Sequence, residues 1–69
     1  MVLLKDPTGR ALQARLTTDH ATSSYGIPVL VLEDGTPLGP ADVEAQGYQV
    51  MTATSREQLA LEAAGYRLQ

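Results

Sequence analysis

Apolar and polar residues alternate from Leu12 to Thr17, with Leu12, Ala14 and Leu16 interleaved by Gln13, Arg15 and Thr17. A period of two is the pattern of a strand with one buried face. Ahead of it runs the short apolar stretch Val2-Leu3-Leu4, and between the two lies Asp6-Pro7-Thr8-Gly9. Asp, Pro and Gly at the first, second and fourth places are what a type I turn prefers. Gly9 can take the left-handed conformation that closes a three-residue hairpin with a bulge. The pattern predicts an N-terminal hairpin with arms at 2–5 and 10–17. A helix competes for the second arm, with Asp6 as cap, Pro7 at its first position and Leu12 and Leu16 on one face. The hairpin is preferred; strand against helix at 10–17 stays open.

Ile27-Pro28-Val29-Leu30-Val31-Leu32 is the most hydrophobic stretch. Branched residues without polar alternation suggest a strand covered on both faces, so a central strand is predicted at 28–33. Pro28 has no amide proton and suits the strand's first residue. Asp34-Gly35 is a two-residue hairpin signal. Thr36-Pro37-Leu38 can return as a brief arm, which Pro37 confines to an edge. A helix follows at 40–46, with Pro40 at its first position, Asp42 in its first turn and Gly47 as its stop. Strand 48–53 comes next, then a second helix at 55–64. Thr54 with Glu57, or Ser55 with Gln58, gives that helix a capping box. Leu59, Ala60, Leu61, Ala63 and Ala64 supply its apolar stripe. Gly65 ends it, with Tyr66 folding back on Leu61 as in a Schellman end. A short strand at 66–68 would close the chain.

Two of these stretches copy one another. Val43-Glu44-Ala45-Gln46-Gly47-Tyr48-Gln49-Val50 returns eighteen positions later as Leu61-Glu62-Ala63-Ala64-Gly65-Tyr66-Arg67-Leu68. Each copy reads as a last helical turn, a glycine stop and a tyrosine opening an extended segment. Duplication and convergence on favourable capping chemistry both explain it. Strand, helix, strand, helix, strand is also the order of α/β crossovers, which are right-handed when the strands run parallel. The fold class expected is α+β (mixed α/β): one domain, 1–69, with a small mixed sheet and both helices packed on it.

Composition narrows the functions. A chain of 69 residues buries only a modest core. Cysteine is absent, so disulfides and thiolate metal sites are excluded. Good packing or self-association is left to stabilise the fold. Three tyrosines are the only aromatic residues, so Leu and Val must fill the interior. The net charge is −3, and Lys5, Arg10, Arg15, Arg56 and Arg67 are spread along the chain. Phosphate binding needs a concentrated positive face, which disfavours nucleic acid. No apolar run is long enough for a membrane span and the start lacks a secretory layout, so a cytoplasmic protein is expected.

Candidate chemistry is sparse. His20 is the single histidine, beside Asp19 and near Ser23, Ser24 and Tyr25. Histidine suits acid–base work near neutral pH. Asp19 and His20 are adjacent, however, so in an extended loop their side chains diverge, and no Gly-x-Ser-x-Gly elbow exists. A solvated loop histidine is the preferred reading. Asp6, Asp19, Asp34 and Asp42 follow no calcium-loop spacing, and no metal is expected. Gly35 to Pro40 lacks the residues of a phosphate loop, so no cofactor is expected either. The polar stretch from Thr17 to Gly26 remains. Tyrosine is enriched at interfaces, and Tyr25 has no packing partner in sequence. His20, Ser23, Ser24 and Tyr25 form the candidate interaction patch. Against it stands an ordered connection whose Ser and Thr satisfy their own backbone.

The expected function is a small non-enzymatic binding module acting through protein–protein contacts or self-association. One alternative is a DNA-binding regulator or antitoxin-like dimer whose N-terminal hairpin presents Lys5, Arg10 and Arg15. A second is a minor enzymatic or ligand-binding role centred on His20.

Overall fold

A computed structural model of the chain describes residues 1–19 and 26–68. The N-terminal alternation builds a strand and not a helix: β1 (Val2–Lys5) pairs antiparallel with β2 (Ala11–Thr17), Val2 opposite Ala14 and Leu4 opposite Leu12. Asp6 decides the outcome. Its Oδ1 accepts from the Thr8 amide at 3.0 Å, the Thr8 hydroxyl at 2.6 Å and the Arg10 amide at 2.8 Å. Those bonds hold a turn where a helix cap would have led the chain onward. The Asp6 amide donates to the Arg10 carbonyl and the Gly9 amide to the Asp6 carbonyl. Gly9, at φ 92°, is the bulge residue of a three-residue hairpin.

Five further elements follow: β3 (Val29–Leu32), β4 (Pro37–Leu38), α1 (Pro40–Ala45), β5 (Gln49–Thr52) and α2 (Ser55–Ala63). The sheet order is β4-β3-β2-β1-β5. The α+β class is as expected. Among the described residues no crossover joins neighbouring parallel strands, and the four pairings are all antiparallel. Strand β5 crosses to the far edge beside β1, so the strand predicted as central, β3, is not the middle one. Its neighbours are β2 and β4, and the middle place belongs to β2. A second correction concerns Asp34-Gly35. The Leu32 amide donates to the Thr36 carbonyl and the Gly35 amide to the Leu32 carbonyl, enclosing three residues instead of two. Gly35, at φ 90°, takes the bulge position that Gly9 takes in the first hairpin, while Asp34 Oδ1 accepts from the Thr36 amide at 2.9 Å.

Both helices lie on one side of the sheet. Val2, Leu4, Ala14, Leu30, Leu38 and Val50 form that inner face and cluster with Val43 of α1, Leu61 of α2 and Tyr66. Strand alternation sends Leu3, Gln13, Arg15, Thr17, Val29 and Val31 to the opposite face. Val29 and Val31 are buried there, outside the main cluster. Only part of the expected α2 stripe packs. Leu61 is buried and Ala60 and Ala64 are half-buried, but Leu59 is 70% exposed. At 3.6 residues per turn, positions two apart sit about 200° round the helix and cannot share a narrow face.

The repeated octapeptide is a pair of Schellman caps. Tyr48 donates its amide to the Val43 carbonyl and Gly47 to Glu44; Tyr66 donates to Leu61 and Gly65 to Glu62. Each glycine is left-handed, at φ 78° and 97°, where a Cβ would be strained. The two copies then part. Residues after Tyr48 become β5, whereas 66–68 join no strand. Instead the Tyr66 side chain enters the core. Its hydroxyl accepts from the Leu30 amide at 3.0 Å and donates to the Leu38 carbonyl at 2.5 Å. Leu30 and Leu38 face each other across the β3–β4 register. A phenol from the C-terminal end thereby fastens the shortest strand to its neighbour.

Candidate functional site

The predicted patch of His20, Ser23, Ser24 and Tyr25 lies outside the described residues. Its two stems are described. Thr17 and Val29 form the last β2–β3 pair, and the Asp19 amide donates to Thr17 Oγ1 at 3.0 Å. On the other side Gly26 has φ 74° and Ile27 is 49% exposed. Beside these stems a groove runs between the strand ends and α2, lined by Leu16, Thr18, Pro28, Arg56 and Ala60.

Four acidic groups of the described surface, Asp6, Asp34, Asp42 and Glu57, serve the backbone. The Thr8 hydroxyl first, then the Arg10 amide, hold the Asp6 carboxyl below its ordinary range. Thr36 does the same for Asp34. Asp42 accepts from the Gly39 amide at 3.0 Å at the start of α1. Glu57 carries two duties. Its Oε2 meets the Met1 ammonium at 2.6 Å, and its Oε1 accepts from the Thr54 amide at 2.9 Å. Thr54 Oγ1 returns the bond to the Glu57 amide at 3.2 Å, completing the capping box. The ammonium first, then the Thr54 amide, lower the Glu57 pKa. Among the described residues no three His, Asp or Glu side chains converge as a metal site would require. No charged side chain is buried there.

The basic residues of the hairpin do not converge. Lys5 stands opposite Ala11 and Arg15 opposite Val31, so both belong to the helix-free face. They are separated by four positions along β2, about 13 Å at the usual rise. Arg10 sits at the turn. A second groove on that face is bordered by Met1, Gln13, Arg15, Val31 and Glu33, so an acidic group faces the same hollow as Arg15.

Sequence reasoning predicted a strand at 48–53 but missed its place at an edge of the sheet. Among the described residues strand β5 pairs with β1 alone and forms one edge; β4 forms the other. Leu3 pairs with Thr52 and Leu4 with Val50, so Met51 is skipped by the register and is 54% exposed. The signal was present in Gln49-Val50-Met51-Thr52, a strand without a charge or a proline. Among the described residues no helix is long and apolar enough to cross a membrane. Compared with protein families, with curated proteins and with solved structures, the chain matches none.

Proposed function

We propose that this chain is a small cytoplasmic binding module, working through protein–protein contacts or self-association and not through catalysis. The observation that carries the reading is where large apolar side chains remain in water. Met1 is 71% exposed and borders the groove on the helix-free face, Ile27 is 49% exposed just ahead of β3, and Met51 is 54% exposed on the β5 edge. Leu59 of α2 is a fourth, at 70% exposed, and large apolar side chains left in water on a small domain are area that a partner can cover. The titratable groups support the same reading. A catalytic carboxylate must be within reach of the proton it moves, whereas Asp6, Asp34, Asp42 and Glu57 each accept from a backbone amide at a turn or a cap.

Nucleic acid ranks second, because Lys5 and Arg15 share the helix-free face. Their separation and the nearby Glu33 weigh against it, and no retardation of duplex DNA is expected at low salt. A catalytic role for His20 would require that His20→Ala abolish an activity. The test of the main reading is recovery of a partner from lysate by the immobilised chain, followed by titration of the purified pair. A saturable complex is expected. Absence of any saturable partner, together with a strictly monomeric chain, overturns the proposal.

A further inference from the structure

We infer that the β5 edge pairs with the β5 edge of a second copy of this chain, in antiparallel sense about a two-fold axis. The inference rests on the module reading above and names its partner.

The two ends of the sheet are unlike. Strand β4 is two residues long and begins with Pro37, which has no amide to offer. Shortness and proline are both devices that keep a sheet edge from pairing. Strand β5 is twice as long, has neither proline nor charge, and among the described residues pairs only with β1. Its irregularity is a bulge, and the skipped residue is an exposed methionine. Methionine adapts its shape to irregular contacts more readily than branched side chains do. The edge therefore offers unpaired backbone groups beside an apolar, adaptable side chain.

Charge identifies the occupant. A two-fold antiparallel pairing sets a strand against itself, so any charge on it would face a like charge close by. From Ala45 through Ser55 there is none, in a chain of which 19% is charged. Such an edge gives a foreign strand no electrostatic basis for selection and gives its own copy no repulsion. With the axis normal to the sheet, both helix layers stay on one side and the two sheets of five strands continue into one. A single strand pair buries less than the roughly 1,200 Å² of a standard interface. Association is accordingly weak and concentration-dependent.

Sedimentation equilibrium from about 10 μM to about 1 mM, a span reaching into weak affinities, tests this. The wild-type mass rises toward twice that of one chain. Met51→Lys and Thr52→Lys stay at the mass of one chain throughout, with unchanged circular dichroism and melting, since both side chains are exposed. A wild-type chain that remains monomeric to the highest concentration overturns the inference. So does a Met51→Lys, Thr52→Lys double variant that dimerises as the wild type does. A monomeric wild type that still binds a purified partner saturably sinks the β5 pairing and leaves the module reading intact.

Discussion

Replacing Tyr66 by Phe removes one oxygen that bridges two strands inside the core. Tyr66 is 4% exposed, and its ring is retained by the change, so apolar burial is nearly constant. What is lost is the partner of the Leu30 amide and the Leu38 carbonyl. Leaving a buried donor or acceptor unsatisfied costs about 1–3 kcal/mol. Leu30 and Leu38 face each other in the register, so partial re-pairing places the loss near about 2 kcal/mol. A domain of this length is stable by about 3–10 kcal/mol, and each kcal/mol moves its midpoint by about 4–8 °C. The expected fall in Tm is about 8–16 °C. Tyr48→Phe is the internal control, because Tyr48 occupies the same place in the repeat but is only half-buried. It should change stability by less than about 0.5 kcal/mol. Alkaline titration adds a second readout. Burial, the larger cause, and the nearby Asp42 charge raise the Tyr66 pKa, against the Leu30 hydrogen bond. A raised folded pKa means stability that is present below the unfolded value and is lost as pH climbs through the folded one. The wild type should therefore shed its advantage over Tyr66→Phe above about pH 10. Urea or thermal unfolding followed by circular dichroism measures both effects. Equal stabilities for Tyr66→Phe and wild type, or an equally damaging Tyr48→Phe, would refute the reasoning.

Glu57→Gln keeps an acceptor for the Thr54 amide but removes the charge beside the Met1 ammonium. The loss at neutral pH should be under about 1 kcal/mol and shrink in salt. Since the Glu57 pKa is lowered on folding, the wild type should lose this advantage as pH falls through the carboxylate range, which acid melts would show. Gly65→Ala forces a Cβ into the left-handed region at φ 97° and should cost about 1–2 kcal/mol, although the nearest Pro40 atom would lie at an ordinary 3.7 Å. A neutral result in urea unfolding would contradict the Schellman assignment. Leu59→Lys should leave the melting midpoint within about 0.5 kcal/mol of wild type, because that side chain faces water. A large loss would mean α2 packs a broader face than described.

Local chemistry carried far enough to place every element but not to order the strands. The Asp6 turn, the capping box of Thr54 and Glu57 and both glycine stops were legible because each depends on residues within five positions. Strand order was not, because crossing from β4 to β5 is decided by which edge offers Val50 a buried place against Leu4. That is a matter of tertiary packing and leaves no trace at short range. The Tyr66 hydroxyl is the sharpest instance. Its partners lie 36 and 28 positions away, so sequence supports the turn at Gly65 and is silent on where the ring goes. Leu59 misled for a different reason. A row of apolar residues in α2 exceeds what one helix face can bury, and composition cannot say which member is left outside. The candidate surface followed the same division: the exposed Met51 becomes conspicuous only once β5 is known to be an edge.

Hydrogen exchange at the backbone amides of Gln49–Thr52, followed residue by residue at low and high protein concentration, probes that edge directly. Outward-facing amides of β5 should exchange freely in dilute solution and gain protection as concentration rises, while those of β4 stay unchanged. Exchange in β5 that is indifferent to concentration, or protection that grows in β4 instead, would contradict the account.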